Sequence, residues 1–513
     1  MLPQCGHSIT VLGMIWCIHH AIKDKCYDFL TTCFRSNAVS SEDLASKAID
    51  HALSLGASYA DTRFEVRTDK GLLIENGSIE HFASQQESGI GIRVIVNGAW
   101  GFYAFANPKN LGDVRTAAEQ AFNLAKSSSA SIKQKVVLAD AKAFKDTVDY
   151  GFKKDPRDGM NELVQIAKDC DKIIRSAGKR IHRSSVSIGY AYTEKMFMNS
   201  DGAKILQRYT DTVTNMSATA HESGLTQNVS TTEGGRGGIE MVTEYSDARA
   251  KAQEIAEKAV QLIDAKPAKE QKARIVMNPD FVALLAHEIL GHPSEADRVL
   301  GYEMAWAGGA WWAGKLGQKV GSDAMNVSDN PTIERSLGHY KYDDEGVRAK
   351  DKVLVKNGIL VEHMHSRETA SKFSVEANAG MRATGYEFMP LIRMACTYIN
   401  SGNWNHEEMV KEVDDGFFVC NMKVPSIDML RYNWSISCQY AYIVKNGEIK
   451  DLLRDIIVMG VAPEFFASID ACSKDFEIRP VLNCGKGDPM QTMRMGNGGP
   501  YVRGIATVKS VEQ

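Results

Sequence analysis

The stretch "MNPDFVALLAHEILGHPSEADRV", residues 277–299, holds two histidines around a glutamate in H-E-x-x-x-H order. Asn278 is a good helix cap, Pro279 suits the first helical position and Asp280 complements the positive end of the helix dipole. These signals predict a buried helix over Phe281 to Leu290, with Phe281, Leu284 and Leu285 on its apolar face. A zinc-protease helix spaces its histidines four apart; His287 and His292 are five apart.

A regular α-helix places a residue four later about 40° around the axis and one five later about 140° around it. Such a helix cannot aim both imidazoles at one ion. Gly291 permits a helix stop or a π-type widening, and Pro293 biases His292 away from the α region, so a broken turn can bring the second histidine back. Glu288 then stands where a general base reaches a metal-activated water. The bland alternative is a buried helix whose histidines bond backbone carbonyls, and the motif leaves both open.

A catalytic zinc takes a third protein ligand and keeps one position open. Glu295, three residues beyond His292, is one candidate, and Cys484 in "NCGKGDPMQ" (483–491) is the other. Gly485 and Gly487 let backbone approach closely and leave the sulfur accessible, whereas the plain reading of Cys484 is a small core residue beside a turn.

Outward from this stretch the chain divides in two. "SEDLASKAIDHALSLGA" (41–57) carries a capping serine, apolar Leu44, Ala48 and Leu53 at helical spacing, and Gly56 as a stop. In "YADTRFEVR", Phe64 and Val66 alternate with charged residues as in a strand, and Asn76-Gly77 and Asn97-Gly98 mark hairpins. Helices are expected near 110–127, 157–177 and 246–264, around a strand-rich stretch that includes 185–206. "DAKPAKEQKARIV" (264–276) reads as a junction, beyond which strands dominate and two hairpins share the turn "VKNG". The fold expected is α+β: an N-terminal extension over 1–40, an α/β half over 41–266 and a β-rich half carrying the metal helix over 267–513.

Composition bounds the function. A chain of 513 residues is too long for one ordinary core. With 44% apolar and 24% charged residues and a formal net charge of -4, it has neither the basic stripe of a nucleic-acid binder nor a polybasic membrane patch. Its ten scattered cysteines, four of them (Cys5, Cys17, Cys26, Cys33) near the start, suit a reducing compartment, so cytoplasm is the default. "SITVLGMIWCI" is too short to span a bilayer and lacks the flanks of a signal peptide; it reads as an appended helix or an over-extended start, with a secretion signal the minority option.

Other features carry less. His363 and His365 alternate as a metal pair does on a strand, but without a third ligand nearby they read as substrate-side or surface polar residues. "EGGRGG", ending at Gly238, and "GNGGP" (496–500) fit no phosphate-loop spacing and read as flexible loops or tight turns. Trp306, Trp311 and Trp312 read as packing at an interface before a peptide channel. Arg382, among glycines, is a weak candidate for substrate contact.

From about Ser41 onward the residues resemble the TldD/PmbA family of zinc metallopeptidases. The resemblance rests on "GASYADTR", "GIGIRVIVNGAWGFYAFA", "HEILGHPSEAD", "LIRMACTYI", "LLRDIIVMG" and "CGK", which fall in family order. It is to the TldD side, since the PmbA (TldE) side lacks the metal motif, and to archaeal TldD-like proteins, partly through "AWAGGAWWAGKLG". The resemblance implies Zn2+ held by His287, His292 and Cys484, with Glu288 as the base and Glu295 orienting a histidine; Pro293 stands where some relatives carry glycine. It implies hydrolysis of unfolded peptides or small proteins, bound by strand addition, in a homodimer or a heterodimer with a PmbA (TldE)-like chain. The competing readings are a non-catalytic peptide-binding or modulator subunit and a zinc hydrolase acting on a non-peptide amide.

Overall fold

The computed structural model describes residues 39–303 and 308–511. The extension expected over 1–40 thus lies almost wholly outside the described residues, as does Trp306. The architecture is α+β, built on two large sheets.

The first sheet contains β1 (Tyr59–Glu75), β2 (Ser78–Val96), β3 (Ala99–Ala106), β4 (Lys145–Asp149), β5 (Ile181–Asn199), β6 (Lys204–Glu222) and β7 (Leu225–Arg236). Its order is β3-β2-β1-β5-β6, with β4 and β7 both paired to β6. Asn76 and Gly77 both have positive φ, as do Asn97 and Gly98, so each Asn-Gly pair closes its hairpin in the left-handed conformation such turns need. Helices cover the sheet at Ser41–Ser54, Leu111–Ser128, Met160–Ser176 and Ala248–Leu262.

Two expectations shift in detail. The first helix is capped by Ser40, which accepts from the Asp43 amide, and it buries Leu44, Ala45, Ala48, Ile49 and Ala52 while Leu53 is exposed. In β1 the alternation is inverted: Arg63 and Glu65 are buried and Phe64 and Val66 only half-buried. The polar side of this strand faces the C-terminal half, where Arg93 pairs with Asp61 at 2.7 Å and with Glu345 at 3.1 Å in a fully buried network.

The second sheet has twelve strands. Gln271–Met277 lies at its middle, parallel to Asp415–Ile427 on one side and antiparallel to Gln491–Ser510 on the other. Gln491–Ser510 also pairs antiparallel with Ala471–Lys486, aligning Cys484 with Met493. One long strand therefore touches both the strand that leads into the histidine helix and the strand that carries Cys484. Among the described residues no helix is long and apolar enough to cross a membrane.

Candidate metal centre

Asn278 caps the histidine helix as expected, accepting from the Phe281 amide at 3.0 Å, with Pro279 in the first turn. Phe281, Leu284 and Leu285 are all buried. Asp280 accepts from the Met422 amide at 2.8 Å and the Arg479 Nε at 2.9 Å, which ties the helix start to neighbouring strands.

The α-helix runs only over Pro279–Leu285; Ala286–Gly291 is a π-helix and His292–Ser294 a 3-10 turn. The His292 amide donates to the His287 carbonyl, an i to i+5 bond that joins the two candidate ligands through their own backbone. Each residue of a π turn advances less around the axis than in an α-helix, so the fifth residue returns to the same side. Of the two remedies offered by Gly291, widening is the one used. Proline does not act as expected: His292 keeps α dihedrals (φ -58°, ψ -43°) before Pro293. A Cβ on Gly291 would lie 1.9 Å from Met394 Sδ, so the glycine admits a neighbouring side chain. Trp311 Nε1 donates to the Ile289 carbonyl and Trp312 Nε1 to the Pro293 carbonyl, bonds that pin the widened turn.

The rings of His287 and His292 lie 4.8 Å apart, centre to centre. Cys484 Sγ is 3.4 Å from His292 Nε2, and the ligand atoms of His287, His292 and Cys484 lie within 4.8 Å of one another. Two Nδ1 anchors orient the rings. His287 Nδ1 is 2.9 Å from Asn497 Oδ1, whose amide nitrogen donates to the Thr397 carbonyl, and His292 Nδ1 is 3.1 Å from Glu295 Oε2. Engaging each Nδ1 as donor turns each Nε2 toward the sulfur, the nitrogen through which a neutral imidazole would hold a metal. Tetrahedral zinc bonded to sulfur and imidazole would separate those donors by about 3.6 Å, close to the observed spacing. The donor set fits a zinc ion.

The charges agree. Burial raises the Cys484 thiol, but His287, His292 and Arg393 outweigh it and hold the group well below its ordinary value, which favours the thiolate form. Burial lowers and the thiolate raises His287, to about 9 without an ion; a cation that binds must displace that proton. Glu295 is buried, which pushes it up, yet Lys486, His292 and Arg298 hold it well below the carboxylate range. Arg298 Nε reaches it at 2.6 Å and Lys486 Nζ at 3.2 Å. Glu295 therefore touches His292 from behind and does not join the ligand group. Cys484 is not as accessible as its flanking glycines suggested: it is buried and faces a cavity.

That cavity, about 630 Å³, is lined by His287, Glu288, His292, Cys484 and Arg431, with Thr231 and Thr232 contributed by β7. Glu288 Oε1 lies 4.0 Å from His287 Nε2, and Glu288 pairs with Arg431. Burial raises its carboxyl, but the two histidines and Arg431 bring it down to about 2, so it enters as an ionised acceptor.

Some residues fall elsewhere. His363 and His365 are not surface residues: both are buried, with their rings edge-on and tilted against Phe373, and burial lowers them to about 4 and about 3. "EGGRGG" and "GNGGP" belong mostly to strands rather than loops; a Cβ on Gly496 or Gly498 would lie 2.1 Å from Ser336 Oγ or the Glu477 carbonyl. Asn497 and Arg431 were missed by sequence reasoning. The tight glycines around Asn497 were the available signal; Arg431 had none.

Domain models of the PmbA/TldA metallopeptidases match this chain three times: domain 1 over residues 60–125, the central domain over 154–263 and the C-terminal domain over 270–506. A metalloprotease of Methanocaldococcus jannaschii is 32% identical over 90% of this chain and 98% of its own length. A zinc metalloprotease TldD homolog of Saccharolobus solfataricus is 24% identical over 89% and 97%. The crystal structure of TldE from Thermococcus kodakarensis shares the fold, with a TM-score of 0.71 at 18% identity over 91% of this chain and all of that one. The class defined is a metallopeptidase. The chain belongs to the PmbA/TldD metallopeptidase family.

Proposed function

We propose that the chain is a zinc-dependent peptidase whose ion is held by His287, His292 and Cys484, with Glu288 as general base. The observation that carries this is the convergence of two imidazoles and one thiol sulfur, the latter from a strand 192 positions beyond His292, onto one cavity wall. Bound zinc would supply Lewis acidity toward a water and a scissile carbonyl. The residues do the rest. Asn497 and Glu295 fix the imidazole tautomers, and the buried thiolate neutralises charge. Glu288, ionised and facing the cavity, accepts the water proton and passes it to the departing amine. Arg431 holds the Glu288 carboxylate in place.

The substrate fitting this reading is an unfolded peptide or small protein laid in extended form between β7 and the metal helix, since both line the cavity. We place the working form in a TldD/TldE-type complex or a dimer, supported by family membership and the shared fold of TldE. We assign it to the cytoplasm, consistent with six described cysteines that form no disulfide. The natural division we propose falls near residue 266, between the two sheets. The test is zinc content and hydrolysis of an unfolded peptide by the parent protein and Glu288→Ala. The variant should keep its zinc and lose about 10²–10⁴-fold in kcat. Equal cleavage by both would remove the base from Glu288.

A further inference from the structure

A second cavity, about 270 Å³, lies between the two halves of the chain. It is distinct from the metal cavity, although Leu482 lines both. β1, β5 and β6 supply Arg67, Lys195 and Asp211, while the C-terminal half supplies Arg382 and Arg494.

Most of its charges are matched. Arg67 pairs with Asp69 at 2.7 Å, Arg236 with Asp211 at 2.9 Å and Lys195 with Asp344 at 2.6 Å. Asp343 is satisfied by the Glu345, Val347 and Met381 amides, from which it accepts, and burial and the neighbouring Glu345 push its carboxyl up. Two guanidinia remain. Arg382 is only 8% exposed and donates to the Met394 and Arg494 carbonyls, with no carboxylate partner among the described residues. The Arg494 guanidinium forms no ion pair there, and its Nη1 is buried with no hydrogen-bond partner at all. Arg494 is half-buried as a residue, but arginine does not shed its proton to escape such a place, and a desolvated guanidinium end with no partner is costly to leave unmatched. The missing partner is an anion, and a planar fork suits a carboxylate. The acidic groups Asp211 and Asp344 on the same wall disfavour an ion that concentrates several charges on one centre, as phosphate does, and leave the singly charged carboxylate group as the better match.

We propose that this cavity is a carboxylate-binding subsite in which Arg494, helped by Arg382, grips one carboxylate of a ligand. The carboxylate has two possible sources: the C-terminal end of a peptide that reaches past Leu482 from the metal cavity, or a free small dicarboxylate. The first rests on the peptidase reading; the carboxylate site itself does not.

Succinate binding to the full chain by calorimetry tests the site. Arg494→Gln should weaken it at least tenfold, Arg494→Lys less, and Cys484→Ser should leave it unmoved. No binding by the parent at millimolar succinate, or loss in Cys484→Ser with none in Arg494→Gln, overturns the proposal. Circular dichroism and melting curves of the two Arg494 variants separate lost binding from lost folding. The source follows from kcat/KM for one unfolded peptide as free acid and as C-terminal amide. If the peptide is the ligand, the parent prefers the acid and Arg494→Gln brings the ratio toward one. An unchanged ratio with lost succinate binding assigns the site to a free dicarboxylate. Should no peptide be cleaved, the peptidase reading fails while the succinate result still stands or falls alone.

Discussion

The side chains behind the candidate ligands decide how the imidazoles point. Asn497 is buried, and its Oδ1 is the only partner of His287 Nδ1 among the described residues. Asn497→Ala should lower zinc affinity by about 10–100-fold, read by competition with a chelating dye, because the ring loses the bond that sets its tautomer. Glu295→Gln should weaken zinc less, but it leaves Lys486 and Arg298 facing a neutral amide, so its main expected effect is a lower melting temperature. His287, Glu288, His292 and Cys484 were legible as a chemical set because their residue types and spacing are uncommon. Asn497 and Arg431 were not, because an amide or a guanidinium becomes meaningful only when folding sets it beside a particular partner.

The widened turn is the element on which the site depends. Its five-residue spacing looked like a defect for a regular helix, and the same arithmetic said what local change would repair it. What the sequence could not show is what keeps the turn open: Met394 against Gly291, and two tryptophan N–H groups on the Ile289 and Pro293 carbonyls. Gly291→Ala should force Met394 aside and cost about 1–3 kcal/mol, measured by denaturant unfolding, with zinc content falling in parallel. Normal stability in that variant would mean that Met394 relocates freely. Hairpins and amphipathic helices were readable because turn chemistry and period are local. The inverted burial of β1 was not, since its polar face is met by chain far away in sequence: Arg63 donates to the Gly385 and Phe388 carbonyls, 322 and 325 positions on.

Across the whole molecule, the interface between the halves holds charge that responds to pH. Burial raises Glu65 from 4.5 to about 7, against the opposing pull of Lys195. The folded chain therefore retains a proton that the unfolded chain has lost between those values. Stability should fall as pH rises through that window, by about 3 kcal/mol in total, and level off above it. Glu65→Gln should flatten this slope and melt higher than the parent at pH 8. The two-part α+β organisation could be read from composition and periodicity, but the contact between the parts is a matter of shape. A single strand, Gln491–Ser510, aligns the histidine helix with the cysteine strand. A polypeptide still emerging from the ribosome has no place to grip an ion until that strand has been synthesised and has zipped into place. The nascent chain therefore lacks its candidate ion grip until residues 491–510 have emerged and paired.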